Sequence, residues 1–151
     1  MLVPLTRDAA NEFIAQHHRH CGRVTSHRGA IGCEHGGKLV GVAILANPPA
    51  RALAADPFLV EVVRLCVSHD APRNTPSWLL ARCRRAAVAL GFRKVTTVTL
   101  DDESGASLRA AGFVQARKMR ARNGWTSKSR ERGALNTDHR AKVRWMSEAE
   151  A

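Results

Sequence analysis

Residues 59–91, LVEVVRLCVSHDAPRNTPSWLLARCRRAAVALG, decide the predicted fold. An apolar run ends at Val67, a polar turn follows, and an amphipathic segment begins at Asn74 or Thr75 and stops at Gly91. This pattern predicts a strand, a loop and a helix. The first N–H groups of a helix have no intrahelical partner and carry the positive end of its dipole. We therefore expect this corner to suit an anion, especially a phosphate.

The charge balance also favours a partner that carries phosphates. The 151 residues include 24 Lys and Arg against 13 Asp and Glu, which gives a formal net charge of +11. A nucleic acid, a phosphorylated cofactor or both fit this charge, although a solvated basic surface has the same composition. The length predicts a single domain over residues 1–151, with a basic, loop-rich part from about residue 119.

The other elements of the chain follow from turn and periodicity signals. Thr6 or Asp8 is predicted to cap a helix that runs to about His20. Two apolar runs separated by HGGK predict a hairpin with Gly36 and Gly37 at its tip. Its second strand is followed by a loop that lies over one end of the sheet.

Downstream of Gly91 the pattern continues with strands and a short helix. Residues 94–100, KVTTVTL, predict a strand that runs locally parallel to the strand ending at Val67, because a helix connects the two. GASLRAAGF then predicts a short helix that ends at Gly112. Residues 113–118 and the terminal KVRWM are predicted to be the last strands.

Charged side chains interrupt this apolar framework at two places. Glu61 and Arg64 lie within an apolar strand, so they form a surface ion pair or open into a cleft. Asp101 and its acidic neighbours precede the short helix, where acids complement the helix dipole or supply a general base.

The histidines favour a helix terminus over a metal centre, which stays open as the alternative. His17, His18 and His20 end the first helix, where basic side chains complement the dipole, and no carboxylate or cysteine lies at ligand spacing. The four cysteines are widely spaced and are predicted to be reduced core residues. No apolar run approaches the roughly 20 residues that span a bilayer. We therefore expect a cytoplasmic protein without a membrane partner.

The succession of elements resembles the GNAT superfamily of acyl-CoA-dependent N-acyltransferases. RLCVSHDAPRNTPSWLL corresponds to the acyl-CoA signature of that family, and GASLRAAGF is similar to its closing segment. The resemblance implies an α+β fold with an α/β/α arrangement. Its central sheet would be mixed and mostly antiparallel, with a splayed pair of parallel strands and helices on both faces.

The resemblance also implies site residues and a cofactor, which is acetyl-CoA or another acyl-CoA. Leu65, Cys66 and Val67 would contact the pantetheine, and the N–H groups from Arg73 to Ser77 would hold the pyrophosphate. The residues assigned to cofactor binding are Leu65, Cys66, Val67, Arg73, Asn74, Thr75 and Ser77. Glu61 corresponds to the glutamate that often serves as the base.

Two departures from the family pattern affect this site. Asn74, Thr75 and Pro76 replace glycines that the family usually has in the loop, so the backbone is expected to approach a pyrophosphate less closely. Leu108 occupies the position of a tyrosine that protonates the departing thiolate, and the chain has no tyrosine. Water, Ser107 or a nearby acid such as Asp101 would take that role.

Within this fold, RLCV, APRNTPSWLL, SGASLRAAGF and the tail rich in Trp, Ser and Arg are similar to the Mom group of bacteriophage DNA-modification proteins. Those proteins add a glycinamide-derived carbamoylmethyl group to adenine in phage DNA and protect it from restriction. This similarity implies an amine of a nucleobase in DNA as the acceptor, and a bacterial host cytoplasm as the location. The predicted nucleic-acid contacts are Arg64, Trp125, Lys128, Arg130 and Arg132, which combine cations with a stacking surface. The alternatives are an N-acetyltransferase for a small amine or a protein, and a basic nucleic-acid-binding module without catalysis.

Overall fold

The computed structural model describes residues 1–17, 22–121 and 140–148. Its strands are β1 (Leu2–Leu5), β2 (Gly29–His35), β3 (Lys38–Ala46), β4 (Leu59–Val67), β5 (Lys94–Leu100), β6 (Val114–Met119) and β7 (Lys142–Glu148). Its helices are α1 (Arg7–His17), α2 (Arg51–Ala54), α3 (Thr75–Ala89) and α4 (Ala106–Ala110). No helix in these ranges is long and apolar enough to cross a membrane.

The strands form one seven-stranded sheet in the order β1-β2-β3-β4-β5-β7-β6. Every neighbouring pair is antiparallel except β4 and β5, which are parallel because α3 connects them. This mixed, mostly antiparallel sheet with helices on both faces confirms the predicted α+β fold class. The hairpin prediction is also confirmed, since Gly36 and Gly37 join β2 to β3 with φ of 57° and 75°.

Apolar side chains divide between the two faces of the sheet. On one face, the α1 face, Phe13 and Ile14 of the helix pack with Val42, Ile44 and Cys66 of the sheet. On the other, the α3 face, Leu80 and Cys83 pack with Val60, Val95, Phe113 and Trp145. Cys33, Cys66 and Cys83 are buried, as predicted for core residues, and burial raises the pKa of Cys83 to about 12.

The element boundaries differ from the predictions mainly where short segments depend on tertiary contacts. The strand β1 was not predicted, because four residues leave little periodicity, and it forms by pairing with β2. The connection after the hairpin contains α2 rather than only a loop. Phe113 is a buried core residue that precedes β6 rather than its first residue. Of the two predicted caps of α1, Thr6 and Asp8, Thr6 is the one observed, since the Ala9 N–H donates to Thr6 Oγ1 over 3.2 Å.

Candidate active site

The two parallel strands β4 and β5 separate along their length. They pair at Leu59 with Lys94, Val60 with Val95, and Glu61 with Thr96. Just beyond this point the Thr97 hydroxyl donates to the Val62 carbonyl over 2.9 Å. From there the carboxyl-terminal halves of the strands diverge. The splayed pair inferred from the family resemblance is therefore present, and a V-shaped cleft opens between the strands.

A β-bulge in β4 lies at the narrow end of this cleft. Ile44 pairs with Arg64 whereas Leu45 pairs with Val62, so Val63 is an extra residue without a partner in β3. The bulge resets the alternation of the strand: Val60 and Val62 pack on the α3 face before it, and after it Leu65 packs on that face whereas Cys66 packs on the α1 face. Bulges redirect a strand next to functional sites. Beyond the bulge, no strand in the described ranges pairs with the edge of β4 that faces β5.

The cleft has a volume of about 640 Å³ and extends from the diverging strands to α3 and α4. The strand β4 contributes residues 61–65 to its lining, and β5 contributes residues 97–100. Pro76 and Leu80 of α3 line another side, and residues 103–108 line the side of α4. Arg140 and Lys142 complete the lining near the start of β7.

Glu61 lies at the narrow end of the cleft in a buried polar cluster. Its carboxylate accepts a hydrogen bond of 3.1 Å from Arg144 Nη1, and the same nitrogen donates to Thr96 Oγ1 over 3.2 Å. The exposed fractions of the two charged side chains are 8% for Glu61 and 14% for Arg144. Thr96 donates in turn to the Trp145 carbonyl over 2.8 Å. The predicted surface pair between Glu61 and Arg64 is therefore wrong, because Arg144 reaches across β5 to Glu61.

Burial raises the pKa of the Glu61 carboxyl above its ordinary value. The charge and the hydrogen bond of Arg144 both oppose this shift, but desolvation is the larger effect. A carboxylate with a raised pKa is a stronger base than one in water. Its place in the cleft and its raised pKa therefore make Glu61 a candidate for a general base.

Replacing Arg144 by Gln is expected to raise the pKa of Glu61 further, because the opposing positive charge is lost while burial remains. If Glu61 must be ionised to act, the acid limb of the kcat/KM profile should then move to higher pH. The measurement is the pH dependence of kcat/KM for wild type and variant. Arg93→Gln is the control, since Arg93 is exposed and stacks on Phe58. An acid limb that stays in place would contradict this coupling.

Only some of the N–H groups predicted to bind a pyrophosphate at the start of α3 are free to do so. The Thr75 N–H donates to the Pro72 carbonyl over 2.9 Å, and Pro76 has no N–H. The N–H groups of Arg73, Asn74 and Ser77 remain for an anion. Thr75 is instead a packing residue, 4% exposed. A Cβ on Gly41 of β3 would lie 3.2 Å from Cγ2 of Thr75. Glycine at residue 41 therefore lets α3 pack close to β3.

The remaining predicted cofactor contacts differ in their relation to the cleft. Leu65 lines the cleft, whereas Cys66 is buried in the core of the α1 face. Neither Val67 nor the side chains of Arg73 and Asn74 are part of the cleft lining.

The predicted catalytic residues other than Glu61 lie in two different places. Ser107 lines the cleft from the first turn of α4. Asp101 is outside the lining, and its carboxylate lies 3.4 Å from Lys118 Nζ. Leu108, at the position of the family's tyrosine, is 4% exposed and packs in the core. Ser107 is thus the one of these predicted residues besides Glu61 that faces the cleft.

Of the predicted nucleic-acid contacts, only Arg64 lies within the described residues. Its Nη1 donates to the Val63 carbonyl over 2.7 Å, and its Nη2 lies 3.4 Å from the Gly22 carbonyl. The buried Nε of Arg64 has no hydrogen-bond partner. Trp125, Lys128, Arg130 and Arg132 lie outside the described residues, as do His18 and His20. Within the described ranges, no group of three His, Cys, Asp or Glu side chains is placed to hold a metal ion.

Arg144, Thr96 and Gly105 are site residues that the sequence reasoning missed. Arg144 alternates with the apolar Val143 and Trp145, a pattern that marks it as facing away from their core, but its partner across β5 cannot be read from sequence. Gly105 precedes α4 with φ of 66° and lines the cleft. A Cβ at this glycine would lie 2.3 Å from Cζ2 of Trp145, so the backbone there rests against the indole ring.

Comparison with solved structures identifies the architecture. The chain superposes on the IAA acetyltransferase from Bacillus cereus ATCC 14579 with a TM-score of 0.68 and 16% identity, over 99% of both chains. It superposes on the ribosomal-protein-alanine N-acetyltransferase from Brucella melitensis with a TM-score of 0.68 and 11% identity, again over 99% of both chains. A GNAT family acetyltransferase from Elizabethkingia anophelis, solved with acetyl-CoA bound, gives a TM-score of 0.64 and 14% identity over 99% of this chain and 97% of that one.

The sequence matches no protein-family model, and no curated protein matches it significantly. The similarity to the solved structures is therefore one of fold, spread over nearly the whole chain at low identity. The order of the strands, the splayed parallel pair and the helices on both faces agree with that similarity. This chain has the fold of the GNAT acetyltransferases.

Proposed function

We propose that this protein is an acyl-CoA-dependent N-acyltransferase that modifies an amine of a nucleobase in DNA. The observation that carries the proposal is a buried carboxylate with a raised pKa at the narrow end of a cleft between splayed parallel strands. Similarity to acetyltransferases of the same fold supports the reaction class.

The shape and polarity of the cleft fit an acyl-CoA donor. An extended arm with amide groups can bond to the edge of β4 that has no strand partner in the described structure, because an unpaired edge offers free N–H and C=O groups. The N–H groups of Arg73, Asn74 and Ser77 are suited to the pyrophosphate at the start of α3. An acyl-CoA supplies an acyl group activated as a thioester.

The residues of this chain would contribute a base and a proton donor. Glu61 would accept the proton that the acceptor amine loses as its nitrogen forms the new bond to the acyl carbon. Arg144 and Thr96 hold the side chain of this carboxylate in place. Because Leu108 has no exchangeable proton, Ser107 or water would deliver a proton to the departing thiolate, which is already a fair leaving group near neutral pH.

The choice of a nucleobase as acceptor rests on charge and on the resemblance to the Mom group that was inferred from the sequence motifs alone. The formal charge of +11 favours a polyanionic partner, and Arg64 lies beside the cleft at the bulge of β4. The main alternative is a small amine or protein acceptor, which is favoured by the ribosomal-protein-alanine N-acetyltransferase among the structures of similar fold.

Acetyl-CoA is expected to stabilise the protein against thermal unfolding. At about one hundred times its Kd it should add about 2.7 kcal/mol to the free energy of unfolding. For a chain of this length that corresponds to an increase in Tm of roughly 5–11 °C. The measurement is differential scanning fluorimetry, with 3′,5′-ADP as the control ligand because it lacks the pantetheine arm. An unchanged Tm with several acyl-CoA species would overturn the enzymatic proposal and favour a non-catalytic binding module.

The acceptor can be tested separately by mass spectrometry of nucleosides. DNA from cells that express the wild-type protein should contain a nucleoside whose mass has increased by one acyl group, and DNA from cells that express Glu61→Gln should not. A protein that binds acetyl-CoA but leaves the nucleoside profile unchanged would support the small-amine or protein acceptor instead.

A further inference from the structure

The half of the sheet formed by β5, β7 and β6 has no helix on its α1 face within the described structure. The helix α1 packs against β2, β3 and β4. The helices α3 and α4 lie on the opposite face, and α2 buries none of its residues. Glu61 lies at the border between the covered and the uncovered halves. On the α1 face, Glu61 is therefore bordered on one side by α1 and on the other, among the described residues, by strands that no helix covers.

The strand register places several cations on this uncovered surface. Val143 and Trp145 face the α3 core, so Lys142 and Arg144 face the other way. Arg117 pairs with Arg144 across β6 and β7, and paired residues share a face. Arg64 lies on the same face of β4, where it reaches Gly22. We call the surface formed by Arg64, Arg117, Lys142 and Arg144 the basic face.

Within the described residues, Glu61 is the one acidic side chain that forms an ion pair with the basic face. Asp101 pairs with Lys118, and Asp102 pairs with Arg140. The Glu103 carboxylate accepts a hydrogen bond from the Leu100 N–H. Arg144 is occupied by Glu61.

Arg117 and Lys142, in contrast, make no ion pair within residues 1–17, 22–121 and 140–148. Their positive charge is therefore available to a ligand.

We infer that the basic face binds the sugar–phosphate backbone of a single-stranded nucleic-acid segment, whose target base reaches Glu61. The inference rests on the proposed function and specifies how the acceptor is held. Unpaired cations beside the site match phosphates, since such contacts release counterions and strengthen binding. Because the Glu61 side chain is only 8% exposed, a stacked and paired base cannot reach it. Val98, Leu100 and Met146 provide partly exposed apolar contacts for an unstacked base.

The test compares two charge-matched double variants with the wild type. Arg117→Gln with Lys142→Gln removes two cations from the basic face. Arg85→Gln with Arg93→Gln removes two cations from exposed positions elsewhere, of which Arg85 lies on α3. A fluorescein-labelled single-stranded DNA oligonucleotide of mixed sequence is titrated with each protein between about 50 and 200 mM salt, with fluorescence anisotropy as the readout.

The basic-face variant is expected to bind the oligonucleotide roughly tenfold or more weakly at about 0.1 M salt. The slope of log K against log salt should become shallower by about 1.4, because each phosphate contact to a single strand contributes about 0.7. The control variant should keep the slope of the wild type. Equal slopes for the wild type and the basic-face variant, or a larger loss in the control, would overturn the inference.

A second readout separates this inference from the proposed function. The single variant Arg117→Gln should retain the thermal stabilisation by acetyl-CoA, because Arg117 is outside the cleft lining. Stabilisation by acetyl-CoA together with salt-independent or absent oligonucleotide binding would overturn the role of the basic face and leave the acyltransferase proposal standing. Oligonucleotide binding with the expected slopes but no stabilisation by any acyl-CoA would support the basic face and overturn the enzyme.

Discussion

Replacing Glu61 by Gln is expected to lower kcat by about a hundredfold to ten-thousandfold, the usual contribution of a general base. Gln has nearly the same shape as Glu and can still accept a hydrogen bond from Arg144, so the cleft should keep its form. It cannot take a proton from the acceptor amine. The Kd for acetyl-CoA should change far less than kcat, because the carboxylate lies at the narrow end of the cleft and not beside α3. Steady-state kinetics and calorimetric titration with acetyl-CoA measure the two quantities.

Glu12→Gln is the matched control for this prediction, because Glu12 is an exposed residue on the outer side of α1. It should leave kcat and the Kd for acetyl-CoA near the values of the wild type. The pH dependence of activity gives a further expectation. Because the pKa of Glu61 is raised, the activity of the wild type should fall as the pH falls through that raised pKa. A Glu61→Gln enzyme with the kcat of the wild type would exclude Glu61 as the base.

Replacing Gly105 by Ala is expected to cause the largest loss of stability among the substitutions considered. The residue has φ of 66°, a conformation that costs a residue with a side chain about 1–2 kcal/mol. The added Cβ would also lie 2.3 Å from Cζ2 and 2.5 Å from Cη2 of Trp145. Overpacking of this kind costs about 1–3 kcal/mol more. The combined loss should lower Tm by roughly 5–20 °C in a thermal unfolding experiment.

Gly36→Ala separates the two causes of that loss. Gly36 has φ of 57° at the tip of the hairpin, but no atom lies within 4 Å of the position its Cβ would take. The Gly36→Ala variant should lose only the free energy that the positive φ costs a residue with a side chain, about 1–2 kcal/mol. If both variants lost the same stability, contact with Trp145 would not be the reason that glycine is needed at residue 105. Because Gly105 also lines the cleft, its replacement should weaken acetyl-CoA binding, which is the second measurement.

Local signals in the sequence were sufficient to predict the elements around the cleft. The β-branched run KVTTVTL gave β5 with the observed boundaries, and the loop before Trp78 gave the start of α3 at Thr75. The doubled glycine predicted the hairpin because a two-residue turn requires positive φ at both positions. These features depend on residues close together in the chain, so short-range periodicity and turn chemistry determine them.

The partner of Glu61 could not be predicted in the same way. Glu61 and Arg144 are separated by 83 positions in the chain, and they meet because β5 lies between β4 and β7. Sequence proximity favoured Arg64 instead, but the guanidinium of Arg64 is directed to the carbonyls of Val63 and Gly22. The contact of Gly105 with Trp145 also depends on the strand order.

The sequence by itself determined most of the element types and the corner between β4 and α3, and through the family resemblance it proposed Glu61 as the base. Only the tertiary structure decided which charge accompanies that carboxylate, which N–H groups remain free at the start of α3, and which strands stay uncovered beside the site. The physical reason is that element formation depends on local backbone preferences and periodic burial, whereas desolvation, ion pairing and access depend on residues that the sheet brings together from distant parts of the chain.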